Sequence, residues 1–197
     1  MRINFVEMFG LSGSGKSTLK AKLLQDNTME TAKPIRTNLT FALATSVFLI
    51  IKMLIISPIN TLRILINPQG RRLLLRLGLR VFGIFIRRFK SKNNEIFLQD
   101  SGVIMPLVTS VIEENWTWTF EQVKLILKVI PIPDKVVFVS APPLIAYERC
   151  IKRDKQSSYN QELFFKANDL CEFLLDFLKS KNIEVILMDN SETQTYP

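Results

Sequence analysis

The sequence predicts a three-layer α/β fold: a mostly parallel sheet of about five strands, covered by helices and interrupted by a basic, apolar helical insert. Three observations carry this. Short apolar runs alternate with segments of helical length, a glycine-rich loop joins the first run to the first helix, and one long stretch lacks acidic residues. Alternation of this kind argues for parallel strands covered on both faces. With 197 residues and a mass of 22.7 kDa, the chain suits a single domain spanning 1–197.

The elements follow in order. RINFVEMF at 2–9 reads as a buried strand, and a helix follows over roughly 16–26. EIFLQD at 95–100, KVVFVS at 135–140 and IEVILMD at 183–189 read as further strands, and a weak one falls near 33–37. Helices are expected over 103–114, 119–130, 143–156 and 160–181. Thr119 and Gln122 are spaced as a capping box, and Pro143 suits a first helical turn.

Residues 38–92 break the alternation. From Thr31 to Asn94 there is no acidic side chain, while Lys33, Arg36, Lys52, Arg63, Arg71, Arg72, Arg76, Arg80, Arg87, Arg88, Lys90 and Lys92 are all basic. The whole chain carries +8, so the rest is a mildly acidic body, unlike a diffuse nucleic-acid surface, and no nucleic acid is expected as partner. The apolar run 39–59 has the length of a membrane span with Lys52 as its only charge. A single crossing would separate strands that belong to one sheet, and a return pass over 73–86 would carry Arg76 and Arg80. Spanning is therefore not expected.

In 71–90, a turn of about 100° per residue places Arg72, Arg76, Arg80 and Arg87 within roughly an 80° arc. Three readings compete: a core helix with one solvated face, a helix lying on an anionic membrane, and an arginine wall gripping an anionic substrate. Whether two insert helices pair across a homodimer is open. Mean hydropathy is +0.17, and Cys150 and Cys171 sit inside amphipathic patterns. No signal peptide precedes the first strand, so the expected setting is the reduced cytoplasm, with the inner face of a membrane as a peripheral site.

The chemistry is concentrated in GLSGSGKST at 10–18, which satisfies G-x-x-x-x-G-K-[ST] between a strand and a helix. The loop residues Gly10, Ser12, Gly13, Ser14 and Gly15 let successive backbone N–H groups converge on a phosphate at a helix N-terminus. Lys16 is placed to bridge β- and γ-phosphates, Ser17 to offer its hydroxyl to Mg²⁺, and Thr18 to reach the α-phosphate. A nucleotide triphosphate chain and Mg²⁺ are thus the expected ligands of the loop.

The chain contains no histidine, so acid–base work falls to carboxylates. Asp100 ends a predicted strand, where a carboxylate could hold Mg²⁺ or take a proton from an acceptor hydroxyl; capping the next turn is the structural alternative. Glu7, in the first strand, is a weaker candidate, since a buried charge needs a partner of some kind. Arg149 and Arg153 share a helix face one turn apart and could neutralise a transferring phosphoryl group, or simply sit at a basic helix end. Trp116 and Trp118 fit either the core or an acceptor pocket, and Cys150 reads as packing.

With these residues placed, GLSGSGKST at 10–18, IFLQDSG at 96–102 and VVFVSAPPLIAYERCIKRDK at 136–155 resemble the thymidylate kinase-like branch of the P-loop nucleoside and nucleotide kinases. The resemblance implies a five-stranded parallel sheet, an ATP·Mg donor, an acceptor opposite the loop, and a lid near 149–160 bearing Arg149 and Arg153. Asp100 is followed by Ser101, where members acting on thymidylate have an arginine. The insert at 38–92 replaces the usual nucleoside pocket. The sequence therefore points to a phosphotransferase whose acceptor is a small or lipid-linked molecule, such as a glycan, met at a membrane surface. The alternatives are a nucleoside monophosphate kinase and a membrane-docked nucleotide switch with slow hydrolysis. The loop wording also resembles adenylyl-sulfate kinases, but no Asp-Gly-Asp segment follows the first helix.

Overall fold

The structure, a computed structural model, describes residues 4–25, 30–31, 39–90, 96–99, 102–154 and 159–190. The chain divides into two compact units. The first to be described contains the sheet.

Five parallel strands, β1 (Asn4–Phe9), β2 (Glu30–Thr31), β3 (Ile96–Gln99), β4 (Lys135–Ser140) and β5 (Glu184–Asp189), lie in the order β2-β3-β1-β4-β5. Four are of four to six residues, and β2 is a two-residue edge. The weak strand expected near 33–37 falls outside the described residues. The central position of β1 follows from its composition, since an apolar run with one charge is stable only between two neighbours.

Alternation along β1 separates the two faces. Val6 and Met8 join Leu98, Val137 and Val139 in a buried cluster. Phe5, Glu7 and Phe9 face the other way, and the Phe9 ring lies 5.0 Å from that of Phe138. Register at the start of the strand is fixed by Asp134, whose carboxylate accepts from the Phe5 N–H at 2.8 Å, while its own N–H donates to Phe5 O at 2.9 Å.

Helices α1 (Lys16–Gln25), α5 (Met105–Glu114), α7 (Pro143–Asp154) and α8 (Gln161–Ser180) belong to the same unit. α8 packs on α5, α7 and β5 through a buried stripe that includes Phe164, Leu170, Leu174 and Leu178. Its ends are set locally. The Asn160 side chain accepts from Glu162 N at 2.9 Å, and Asn182 takes the left-handed conformation (φ 56°) that turns the chain into β5.

The second unit holds α2 (Leu39–Ile56), α3 (Pro58–Ile66), α4 (Pro68–Lys90) and α6 (Phe120–Val129). The apolar run 39–59 is thus two helices. Pro58 cannot continue α2 and instead occupies the first turn of α3, while Ser57 closes α2 by donating to Met53 O at 2.8 Å. Among the described residues, no helix is long and apolar enough to cross a membrane.

α2 and α4 pack at close range through small residues. A Cβ on Gly78 would overlap Ser46 Oγ and crowd Ala42 O, so this glycine permits the approach. Ser46 Oγ donates across the contact to Leu74 O at 3.3 Å and back to Ala42 O at 2.9 Å. On α4, Leu73, Leu74, Leu77 and Ile84 are buried. The arginine stripe flanks this buried face, with Arg72 and Arg80 exposed and Arg76 and Arg87 half-buried. Burial, and the charge of Arg80 behind it, lower the pKa of Arg87, as expected for a crowded cationic stripe. α6 starts with a full capping box: Thr119 N donates to Gln122 Oε1 at 3.0 Å and Gln122 N to Thr119 Oγ1 at 3.3 Å. Trp116 is buried as core, and Trp118 packs edge-on against Phe120 at 5.2 Å.

Candidate active site

The loop between β1 and α1 lies at the C-terminal edge of the sheet, where parallel α/β folds receive ligands. Gly10, Gly13 and Gly15 have φ values of 147°, 82° and 93°, the region that disfavours side chains. Each also lacks room for a Cβ: one on Gly10 would overlap Val139 O, one on Gly13 would overlap Ala146 O, and one on Gly15 would overlap the Asn190 amide. The glycines thus serve two ends at once, curling the loop and letting β4, α7 and the end of β5 close behind it.

Ser14 is fully buried, and its N–H donates to Leu11 O at 3.1 Å. The Lys16 ammonium reaches back into the curl, donating to Leu11 O at 2.6 Å, Gly10 O at 3.0 Å and Ser14 Oγ at 3.4 Å. The ammonium thus rests on carbonyl oxygens of the loop, at a helix N-terminus whose dipole favours a phosphate. Ser17, in the first turn of α1, is exposed, Thr18 is half-buried, and Ser12 and Gly13 form the turn ahead of them. These residues therefore fit a nucleotide triphosphate chain. Among the described residues there is no group of three carboxylates, thiols or histidines that could hold a metal alone. Among the described residues, Ser17 could give a Mg²⁺ a hydroxyl ligand.

Two residues brace the loop from behind. Arg149 Nη1 donates to Asn190 O at 3.2 Å and to Gly13 O at 3.4 Å, so the arginine expected to meet substrate is here seated on the loop backbone. Asn190 was not among the sequence candidates. Its side chain donates to Ser14 O at 2.7 Å and its backbone N–H to Ser140 O at 2.9 Å. The only signal for it was a polar residue directly after a strand, at the ligand edge of the sheet.

Arg153 lies on the same helix and grips its neighbour. Nε and Nη2 donate to the two carboxylate oxygens of Asp154 at 2.6 and 2.8 Å, and Tyr159 OH donates to the same carboxylate at 2.9 Å. The guanidinium holds the Asp154 carboxyl down at about 2. Since the folded value lies below the unfolded one of about 3.9, the contribution is present above pH ~4 and lost as pH falls through about 2. Arg153 is largely exposed, so solvent keeps that contribution small. Carboxyl chemical shifts should show Asp154 titrating near 2, and Arg153→Ala should return it to the ordinary carboxylate range. An unchanged midpoint in the variant would remove Arg153 as the cause.

The buried Glu7 has a structural partner set. Its carboxylate accepts three backbone N–H groups at the start of α5: Val103 at 2.9 Å, Ile104 at 2.8 Å and Met105 at 2.9 Å. Asp100 lies outside the described residues, as do 155–158 of the lid segment. Burial raises the pKa of the Cys150 thiol and pushes that of Cys171 up to about 12, which keeps both protonated and inert.

No protein-family model and no curated protein matches the sequence. Solved structures do match. A deoxyadenosine kinase from M. mycoides with bound dATP aligns at TM-score 0.55 and 16% identity, covering 97% of this chain and 94% of its own. The same kinase with dCMP and dCDP bound aligns at 0.53 and 15%, covering 94% and 88%. A thymidylate kinase from Ehrlichia chaffeensis aligns at 0.49 and 16%, covering 98% and 89%, too low a score to weigh between branches. The chain therefore has the fold of the P-loop nucleoside and nucleotide kinases. The alignment spans 97% of this chain, a range that includes the helical segment as well as the sheet.

Proposed function

We propose that this chain is an ATP- and Mg²⁺-dependent phosphotransferase acting on a deoxynucleoside or its monophosphate. The observation that carries the reading is the complete phosphate loop, with Lys16 held inside it, in a kinase fold that spans nearly the whole chain. The glycan or lipid-linked acceptor expected from the sequence rested on treating 38–92 as foreign to a nucleoside kinase. The full-length likeness takes that motive away and favours the nucleoside alternative.

Bound ATP·Mg²⁺ supplies the phosphoryl group and neutralises charge on it. The chain's own residues do the rest. Lys16 would offer its cation to the β- and γ-phosphates, the loop N–H groups would orient the phosphate chain for in-line transfer, Ser17 would hold the metal, and Thr18 would steady the α-phosphate. Arg149 braces the loop, and it and Arg153 are assigned to the charge developing on the γ-phosphoryl group by their shared helix beside the loop. Asp100 is assigned the metal or the acceptor hydroxyl proton on its place after β3, in a chain without histidine.

The test is a panel of deoxynucleosides, nucleoside monophosphates and sugars, incubated with radiolabelled ATP and Mg²⁺. A labelled deoxynucleotide product is expected. A labelled sugar, or phosphate release without any labelled acceptor, would overturn the proposed acceptor, the latter favouring the slow-hydrolysis switch.

A further inference from the structure

The exposed surface of α2 and α3 is unusually apolar. At about 100° per residue, the buried side of α2 (Ala42, Ser46, Leu49, Met53) occupies a narrow arc. The opposite side spans about 140° and, from Leu43 to Ile55, contains no polar residue. Val47, Phe48 and Ile51 are half exposed, and Ile55 is 78% exposed. The same surface character continues onto α3, where Ile59, Leu62 and Ile66 point outward, the last 78% exposed. Isolated exposed apolar side chains need no explanation, but a continuous face of them marks a binding surface.

Charge identifies the occupant. Lys52 borders the α2 arc, with its ammonium 4.7 Å over the Phe48 ring, and Arg63 lies exposed among the apolar residues of α3. Across residues 39–90 and 116–132 there are eleven basic residues and one acid, Glu121 on α6. A second copy placed face to face would bring the same cations together without a carboxylate on α2, α3 or α4 to answer them. A layer of anionic lipid headgroups over acyl chains answers the cations and the apolar side chains together.

We infer that the α2–α3 face docks on anionic membranes, with Phe48, Ile51, Ile55, Ile59 and Ile66 entering the headgroup boundary and Lys52 and Arg63 pairing with lipid phosphates. The sequence offered membrane contact as one of three readings of 71–90 and left an interfacial helix open for 39–59. The structure favours α2 and α3, because α4 spends its apolar side on α2. Docking of this kind rests on neither the acceptor nor the catalytic assignment.

Flotation of the full chain tests it, with vesicles of phosphatidylcholine alone and of phosphatidylcholine mixed with phosphatidylglycerol. Binding is expected to the anionic vesicles at low salt, weakened at high salt, and absent with phosphatidylcholine alone. Ile51→Asn with Ile55→Asn should weaken partitioning by on the order of tenfold or more. These side chains are exposed, so the thermal midpoint should hold. If it does not, Lys52→Glu with Arg63→Glu provides the same reading without touching apolar packing. Failure to float with anionic vesicles at low salt would overturn the inference. So would a dimer by light scattering that the isoleucine pair dissociates, since the face would then belong to a second copy.

Discussion

Lys16→Ala is expected to lower kcat for phosphoryl transfer by on the order of 10²–10³-fold, the range for losing one preorganised charge-stabilising group. The side chain is not a tether to solvent. It is folded onto Leu11 O, Gly10 O and Ser14 Oγ, so its cation is held within the loop, and a bound phosphate would take over some of these donors. The loop should keep its shape in the variant, because the three glycines, Asn190 and Arg149 fix its backbone independently of the ammonium. Nucleotide affinity is therefore expected to fall less than kcat. That split separates a missing charge from a collapsed loop, and undiminished transfer in Lys16→Ala would rule out the proposed mechanism.

The features legible in the sequence are those whose causes are local. The loop could be read because glycine, lysine and serine at fixed spacing determine its backbone by themselves. The Thr119–Gln122 capping box and the Pro143 helix start were legible for the same reason. What could not be read depends on distant pairings. Asn190 meets Ser14 across 176 positions, and Glu7 meets Ile104 across 97. Neither residue type reveals which backbone group it will face. The run 39–59 is an intermediate case. Pro58 announced a break that apolar composition obscured, and no composition could say that the outer side of α2 stays uncovered. The kinase motifs at 10–18, 96–102 and 136–155 were visible in the sequence, but the acid-free stretch between them carries no motif, so its charge bias alone invited a foreign-substrate reading.

The second large effect is expected at Glu7, and it is on stability. Its two oxygens accept three buried N–H groups from Val103, Ile104 and Met105, where the dipole of α5 also favours a negative charge. In Glu7→Gln one amide oxygen can still serve two donors, but the amide NH₂ must then face the third. That loss should be about 1–3 kcal/mol, the cost of one buried unsatisfied donor, or a thermal midpoint lower by roughly 2–4 °C per kcal/mol for a chain of this size. Glu7→Ala orphans all three donors and opens a cavity, which should remove about 3–5 kcal/mol of a total of only about 5–15. Gly102 is coupled to the same anchor, since a Cβ there would overlap the Glu7 carboxylate. A catalytic role for Glu7 makes the opposite prediction: Glu7→Gln would keep its thermal midpoint and lose turnover. Three saturated contacts to backbone leave that carboxylate poorly placed to take up a proton. Calorimetry and turnover measured on the same variant decide between the two, and the structure requires the midpoint to fall first.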